Sequence, residues 1–182
     1  LRYEGLIRIQ GIPSRELAAK RIFGYVPEIP SMFEALSVRE HIEYIRMAYR
    51  SSITDQEVES LLQRFEMTDK ADKLGGELSK GMMQKVSILC ALAVKPQVIL
   101  FDEPMVGLDP QAIRELKEVI LELKSQGVTV LISTHMLEMV EELWDVMFVM
   151  EKGRIKASFR KEDVGDRDLD DLFFEVTGGE KR

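Results

Sequence analysis

The chain has 182 residues, of which 45% are hydrophobic and 31% are charged, and its formal net charge is -7 at neutral pH. This length is typical of one domain and the apolar content suffices for a buried core, so we expect a single globular domain. The negative net charge argues against sequence-independent binding to the phosphate backbone of a nucleic acid. No apolar run approaches the roughly 18 residues that a membrane-spanning helix needs.

A single cysteine, Cys90, lies among the apolar residues Ile88 to Leu92. One cysteine excludes an internal disulfide framework and a cysteine-based zinc site, and it is typical of a reducing compartment. Because its neighbours are apolar, we interpret Cys90 as a core thiol and not as a nucleophile.

The first part of the chain predicts two short strands with a helix between them. GLIRIQG, from Gly5 to Gly11, alternates apolar and polar residues between glycine turns. IFGYV, from Ile22 to Val26, is the second strand candidate, and the prolines that follow end it. Between the two strands we expect a short helix that Ser14 caps and that runs through Lys20.

Two helix starts follow in the middle of the chain. Ser37 precedes Glu40 by three residues, and Thr54 precedes Glu57 in the same way. This spacing is that of a capping box, so we predict helices over about 38–49 and 55–65. The section contains no convincing strand, which favours a helical insert or subdomain.

The second half of the chain alternates helical and apolar strand patterns. We expect helices over about 82–94, 110–125 and 136–143, and strands over 98–101, 128–133, 146–150 and 155–159, the last two joined as a hairpin. Strands that lack polar alternation and are separated by helices indicate a parallel sheet covered on both faces. The tail has an apolar patch that predicts either a small docked helix or a contact for another subunit: Leu169, Leu172, Phe173, Phe174 and Val176.

Polar side chains follow several of the predicted strands, and ligands of parallel sheets bind beyond the carboxyl ends of the strands. Asp102 and Glu103 come directly after the apolar run VILF, and Glu28 and His135 follow two other strands. Successive side chains of a strand point to opposite faces, so Asp102 and Glu103 cannot coordinate one ion in the same way. We expect one of them to hold Mg²⁺ and the other to act as general base. The alternative is a strand end with two solvated acids.

Two turns precede helices in the same half of the chain. LSKG, residues 78–81, would present backbone N–H groups and the Ser79 hydroxyl to a phosphate, and the alternative is an ordinary N-cap. GLDP, residues 107–110, is a turn with Asp109 as the N-cap of the next helix. His135 is placed to meet a terminal phosphate, although a lone histidine is more often structural.

The order of these segments resembles that of the ATP-binding subunits of ABC transporters. LSKGM is similar to the signature motif, with Lys80 and Met82 in place of the more frequent glycine and glutamine. VILFDEP resembles the Walker B strand, GLDP the D-loop and His135 the switch histidine. Glu28 stands where many members have the Q-loop glutamine. The terminal LDDLFFEVTGGE and the signature lysine resemble ATPases that serve ABC-2 type exporters.

The resemblance runs over about 5–155 and implies an α/β fold, with a P-loop NTPase-like parallel sheet that helices cover and an inserted helical subdomain. It also implies four segments. Residues 1–33 would be the remainder of the ATPase core up to the Q-loop, and residues 34–77 would be the helical subdomain. Residues 78–160 would contain the signature motif and the ATPase core with the Walker B strand, D-loop and H-loop, and residues 161–182 would be a C-terminal tail.

The resemblance further implies roles at the chain's own nucleotide, with ATP and Mg²⁺ as cofactors. Asp102 would hold the Mg²⁺ shell, and Glu28 would contact Mg²⁺ or the attacking water. Glu103 would act as general base, and His135 would contact the γ-phosphate.

A second set of residues would serve ATP bound to the opposite subunit, because family members sandwich two nucleotides in a head-to-tail dimer. Ser79 and Gly81 would meet that γ-phosphate, within a turn that includes Lys80 and Met82, and Asp109 would lie at the dimer seam. The implied partners are therefore a second nucleotide-binding subunit, identical or different, and transmembrane permease subunits, with no nucleic acid. The protein would be cytoplasmic and held at the inner face of the cell membrane by the permeases, which would dock on the helical section 34–74.

The phosphate-binding loop of such ATPases, G-x-x-x-x-G-K-[ST], does not occur in these 182 residues. In the family it precedes the segment that GLIRIQG resembles. We expect a truncated sequence, since the chain begins at Leu1 and a missing central strand would leave its neighbours with unpaired edges. One alternative is a catalytically silent subunit that contributes only LSKG to a partner. The other is an ABC-type ATPase that acts in DNA repair or on ribosomes. The negative net charge of the chain argues against this alternative.

Overall fold

The computed structural model describes residues 4–165 and 167–178, and the predictions that fall on 1–3, 166 and 179–182 lie outside the described residues. The helices are α1 (Leu17–Arg21), α2 (Val38–Tyr49), α3 (Asp55–Arg64), α4 (Lys80–Ala93), α5 (Pro110–Ser125), α6 (Lys161–Val164) and α7 (Leu169–Thr177). The strands are β1 (Arg8–Ile9), β2 (Ile12–Pro13), β3 (Phe23–Val26), β4 (Val98–Asp102), β5 (Thr129–Ser133), β6 (Val146–Glu151) and β7 (Arg154–Arg160).

The chain divides into two compact units between Ser133 and Thr134. The division differs from the single domain that length and composition predict, and the segment 78–160, which the resemblance implies, extends across it. The predicted boundaries after residues 33, 77 and 160 stay predictions.

A parallel sheet in the order β3-β4-β5 forms the centre of the first unit. Val26 is in register with Phe101, and Asp102 is in register with Ser133. The strands run in the same direction, so their carboxyl ends meet at one edge of the sheet. The predicted α/β fold with a parallel sheet is confirmed.

Helices α4 and α5 contact this sheet and bury one of its faces. Val26, Ile99 and Phe101 are fully buried there, whereas Tyr25 and Leu131, on the other face, are 48% and 53% exposed. Burial raises the pKa of the Cys90 thiol on α4 to about 12. A thiol with that pKa stays protonated near neutral pH, so Cys90, which is half-buried, lacks the thiolate that a nucleophile needs.

Both capping boxes of the helical section are confirmed. The Ser37 hydroxyl accepts a hydrogen bond from the Glu40 N–H at 3.2 Å, and the Glu40 carboxylate accepts one from the Ser37 N–H at 2.7 Å. Thr54 and Glu57 repeat this arrangement with the same two distances. As a result α2 has the predicted bounds and α3 ends one residue before its predicted end.

The turn that ends the helical section contains a close approach at Gly75. The Gly75 N–H donates to the Leu36 carbonyl at 2.8 Å. A Cβ added to Gly75 would lie 2.3 Å from the Phe33 carbonyl oxygen, whereas one added to Gly76 would have its nearest neighbour at 3.5 Å. The loop that carries Phe33 is also held by His41, whose Nε2 accepts the Phe33 N–H at 2.9 Å. Glycine is therefore required at 75 and not at 76.

Two predictions for the first residues are wrong. The segment from Gly5 to Gly11 is not one strand, because the chain reverses after Ile9 and β1 pairs antiparallel with β2. Ser14 is not a helix cap, since its N–H donates to the Ile7 carbonyl at 2.9 Å and closes this hairpin. Helix α1 begins only after Glu16, which makes no side-chain cap.

The second unit contains the predicted hairpin, in which β6 and β7 pair antiparallel. The predicted helix over 136–143 is wrong, because the chain forms a 3₁₀ turn at Leu137–Met139 followed by further turns. Glu138 and Glu142 would be like-charged neighbours four residues apart on that helix, which disfavours it. The tail forms the docked helix α7, with Leu169 and Leu172 buried. No helix in residues 4–165 and 167–178 is both long and apolar enough to cross a membrane.

Candidate functional site

Asp102 is the last residue of β4, and its carboxylate accepts hydrogen bonds from hydroxyl groups on both neighbouring strands. Ser133, on β5, donates from Oγ to Oδ1 at 2.5 Å. Tyr25, on β3, donates from its phenol to Oδ2 at 3.5 Å, a longer contact. Burial and the charge of Asp102 raise the pKa of Tyr25, so the phenol stays a donor near neutral pH. The two hydroxyl groups orient the carboxylate at the carboxyl edge of the sheet.

Neither Tyr25 nor Ser133 is predicted as a site residue from the sequence. The signal that finds them is the register of the parallel sheet. Ser133 lies directly opposite Asp102, and Tyr25 lies opposite Leu100, which shares a strand face with Asp102. That register depends on pairing between distant segments, which single-sequence patterns do not specify.

Glu103 follows Asp102 but leaves the strand. Its backbone adopts the left-handed region with φ of 45°, and its N–H donates to the Ser133 carbonyl at 2.9 Å. For a non-glycine residue this conformation costs about 1–3 kcal/mol, and such residues cluster at functional sites. Asp102 therefore stays in the strand while Glu103 is turned away from it, which agrees with different roles for the two carboxylates.

The groups around Asp102 suit Mg²⁺ in their chemistry. Mg²⁺ is usually bound by one or two carboxylates together with water and substrate phosphates, and not by a cage made of protein alone. Within the described ranges, no group of three or more His, Cys, Asp or Glu side chains could hold a metal ion. The Asp102 carboxylate at an exposed sheet edge fits an ion that takes its remaining ligands from a nucleotide and water.

Glu28 and His135 are the two other predicted residues that follow strands. Glu28 is exposed and comes two residues after Val26, the last residue of β3, so it lies beyond the same sheet edge as Asp102. His135 is exposed as well, but it belongs to the second unit. Its place beside the carboxylates stays a prediction.

The LSKG turn forms the N-terminus of α4. Ser79 is the N-cap, and its hydroxyl accepts the Met82 N–H at 3.3 Å. Helix α4 begins at Lys80, two residues earlier than predicted, so Lys80, Gly81 and Met82 form its first turn. Ser79 and Lys80 are exposed, and the backbone N–H groups of a first helical turn attract negative charge.

The GLDP turn lies against the start of α4. Asp109 is the N-cap of α5, and its Oδ1 accepts the Ala112 N–H at 2.9 Å. Its Oδ2 pairs with Lys85 Nζ at 2.8 Å, and this contact lowers the pKa of Asp109. A Cβ added to Gly81 would lie 2.7 Å from the Gly107 carbonyl oxygen, so only glycine fits between the two turns. The structure thus joins two motifs that the sequence separates by 25 residues or more.

Comparison with known proteins gives the following similarities. The family model described as ABC transporter matches residues 2–106. The ABC-type transporter ATP-binding protein EcsA of Bacillus subtilis is 39% identical over 163 residues, which cover 85% of this chain and 66% of that protein. The Nod factor export ATP-binding protein I of Rhizobium meliloti is 32% identical over 179 residues, which cover 96% of this chain and 53% of that protein.

The solved structure of the ATP-binding subunit of an ABC transporter superposes with a TM-score of 0.85 at 34% identity, and the match covers 96% of this chain and 77% of that one. The chain spans only about half to two thirds of the length of the two curated relatives.

Proposed function

We propose that this chain, which belongs to the ABC transporter family, is part of a subunit that binds and hydrolyses ATP to drive transport across a membrane. Two observations at the end of β4 carry the proposal. The Asp102 carboxylate accepts hydrogen bonds from hydroxyl groups on both neighbouring strands, and the next residue, Glu103, has a left-handed backbone conformation. A metal-binding acid beside a proton acceptor is the arrangement that phosphoryl transfer to water requires.

In this proposal Asp102 and Glu28 form the part of the site that binds the metal ion. Mg²⁺, when bound, would neutralise charge on the phosphates of ATP and so stabilise the transition state. Asp102 would supply a ligand directly or through water, and the hydroxyl groups of Tyr25 and Ser133 keep its carboxylate oriented. Glu28 would contact Mg²⁺ or the attacking water from the adjacent strand end.

Glu103 would be the general base that accepts a proton from the attacking water. Its N–H is anchored to the Ser133 carbonyl, so its backbone keeps a constant position next to Asp102. His135 would contact the γ-phosphate from the loop that follows β5. The site would act on ATP whose phosphates are held in the complete subunit by a glycine-rich loop.

The exposed start of α4 would serve a second nucleotide. Ser79, Lys80, Gly81 and Met82 would meet the γ-phosphate of ATP bound to the opposite subunit of a head-to-tail dimer, which is identical or different. The helix N-terminus and the Lys80 ammonium both favour an anion there. Asp109, whose turn touches Gly81, would then lie at the dimer seam.

The helical section, together with Phe33 directly before it, offers the surface on which permease subunits would dock. Phe33, Tyr44 and Met47 are exposed by 58%, 48% and 64%, and the rings of Phe33 and Tyr44 meet edge to face at 5.6 Å. An exposed aromatic cluster of this kind is typical of a protein contact. Through it the subunit would be held at the cytoplasmic face of the membrane. The relative that is named for Nod factor export supports an exporter. The ABC-2 type rests on the resemblance of the tail and of the signature lysine.

The experiment that tests this function replaces the proposed base in the full-length protein. We expect Glu103→Gln to lower ATP turnover by a factor of about 10²–10⁴, the usual contribution of a general base, while ATP binding is retained. Glu118→Gln, which changes an exposed acid on α5, is the matched control and should keep normal turnover.

Undiminished hydrolysis by Glu103→Gln would refute the assigned base. If the unmodified protein together with its permeases hydrolysed no ATP, the proposal that this protein is an ATPase would be refuted. That outcome would favour a silent subunit that contributes only the LSKG turn to a partner.

A further inference from the structure

One face of α4 carries three residues that contact the loop between Glu103 and Asp109. Gly81, Gln84 and Lys85 are spaced by three and four residues, so they share a helix face. Gly81 lies against the Gly107 carbonyl, as described above. The other two contacts are polar, and both involve residues of α4 that are more than nine-tenths buried.

Gln84 is 2% exposed, and its Nε2 donates to the Pro104 carbonyl at 3.2 Å. Its Oε1 has no hydrogen-bond partner among the residues that the structure describes. An unpaired buried acceptor costs about 1–3 kcal/mol, so an apolar side chain of similar size would serve stability better at this position. What glutamine provides and leucine does not is the bond that holds the Pro104 carbonyl.

Lys85 is 8% exposed and ends on Asp109, at the other end of the same loop. A buried ammonium is tolerated only with a close partner, and Asp109 supplies that partner while it also caps α5. The loop is therefore fixed at three points. The Glu103 N–H is bound to Ser133, the Pro104 carbonyl to Gln84, and the Asp109 carboxylate to Lys85.

We propose that Gln84 and Lys85 are positioning residues for the reaction. They hold the 103–109 loop against the start of α4, so the general base of one nucleotide site keeps a constant distance from the LSKG turn that serves the other. The proposal rests on the proposed function, because Glu103 and LSKG have their roles only in that function. Neither Gln84 nor Lys85 would touch the nucleotide.

The test compares three lysine variants of the full-length protein. Lys85→Met removes the ammonium, Lys85→Arg preserves the charge, and Lys95→Met is the matched control. Lys95 lies just beyond the other end of α4, where it pairs with Glu57 at 2.7 Å. Two quantities are measured for each variant, namely ATPase kinetics and hydrogen exchange of the backbone amides in 103–109.

We expect Lys85→Met to lower kcat about tenfold and to change KM by less than about twofold, since a one-ångström misplacement of a reacting group already costs up to about 10²-fold in rate. Amide exchange in 103–109 should rise about tenfold, which corresponds to roughly 1.4 kcal/mol of lost local stability. Lys85→Arg should restore most of both quantities, and Lys95→Met should resemble the unmodified protein. Gln84→Leu, which keeps the core filled, should lower kcat in the same way and is the second variant if Lys85→Met does not fold.

Normal kcat and normal exchange in Lys85→Met, or in Gln84→Leu if it is the variant that folds, would overturn the proposal. An equal loss of kcat in Lys95→Met would overturn it as well, because the effect would then be general destabilisation. If the unmodified protein hydrolyses no ATP, the proposed function fails and the exchange data decide the positioning separately. Faster exchange in Lys85→Met but not in Lys95→Met would support the positioning, and equal exchange would refute it.

Discussion

Two adjacent glycines, Gly75 and Gly76, allow the close approach in the helical section to be tested with a built-in control. An alanine Cβ at 75 would lie 2.3 Å from the Phe33 carbonyl oxygen, against 3.4 Å or more for ordinary contacts. The Phe33 backbone would therefore have to retreat by about 1 Å, and such overpacking costs about 1–3 kcal/mol. The same shift would weaken the bond from the Phe33 N–H to His41, which adds about 1 kcal/mol. We expect Gly75→Ala to destabilise the protein by about 2–4 kcal/mol.

Urea unfolding of the full-length protein, followed by circular dichroism, measures this free energy from the midpoint and the slope. For a protein of this size the expected loss corresponds to a decrease in Tm of about 4–16 °C. Gly76→Ala occupies the next position of the same turn and has its nearest contact at 3.5 Å. We expect it to stay within about 0.5 kcal/mol of the unmodified protein, as ordinary surface substitutions do. Equal stability of the two alanine variants would refute the steric reasoning.

The remaining predictions concern charge and docking. Lys95 and the Thr54 cap hold the pKa of Glu57 at about 2, so its stabilising effect is complete above about pH 4.3, the ordinary glutamate pKa, and is lost as the pH falls towards 2. Glu57→Gln keeps the capping box, so urea unfolding should show a stability difference from the unmodified protein that shrinks over this range; a difference independent of pH would contradict the pairing. Phe33→Ser should lower the fraction of full-length protein that sediments with permease-containing membranes by about tenfold. That factor corresponds to about 1.4 kcal/mol of binding free energy for an aromatic anchor. Leu121→Ser, which changes an exposed residue on α5, is the control and should leave this fraction unchanged. Equal sedimentation of the two serine variants would exclude Phe33 from the docking surface.

The parts of the fold that are local in sequence could be predicted. Both capping boxes depend on residues three positions apart, and the helix that begins at Pro110 has its cap and its proline side by side. For those elements the chain's own neighbours supply the determining hydrogen bonds. The apolar run before Asp102 was equally informative, because it predicted the strand β4, although the described helices bury only the sheet face that carries Ile99 and Phe101.

The parts that failed depend on competing or distant contacts. Ser14 has the chemistry of an N-cap, but its N–H closes a hairpin with Ile7 instead. The segment 136–143 has a helical apolar pattern, yet its glutamates repel one another and the chain forms only short turns. At the candidate site, Asp102 and Glu103 were predicted from their own positions. Tyr25, Ser133 and Lys85 were not, because each reaches the site from another element.

The left-handed backbone at Glu103 has a consequence for laboratory evolution. Glycine adopts this conformation without strain and asparagine does so at lower cost than glutamate. A screen for heat resistance alone would therefore favour glycine or asparagine at position 103, and the variants it enriched would be those that lack the carboxylate. Selection for stability in this protein must be coupled to a measurement of turnover, because one accessible gain in stability lies at the position proposed for the chemistry.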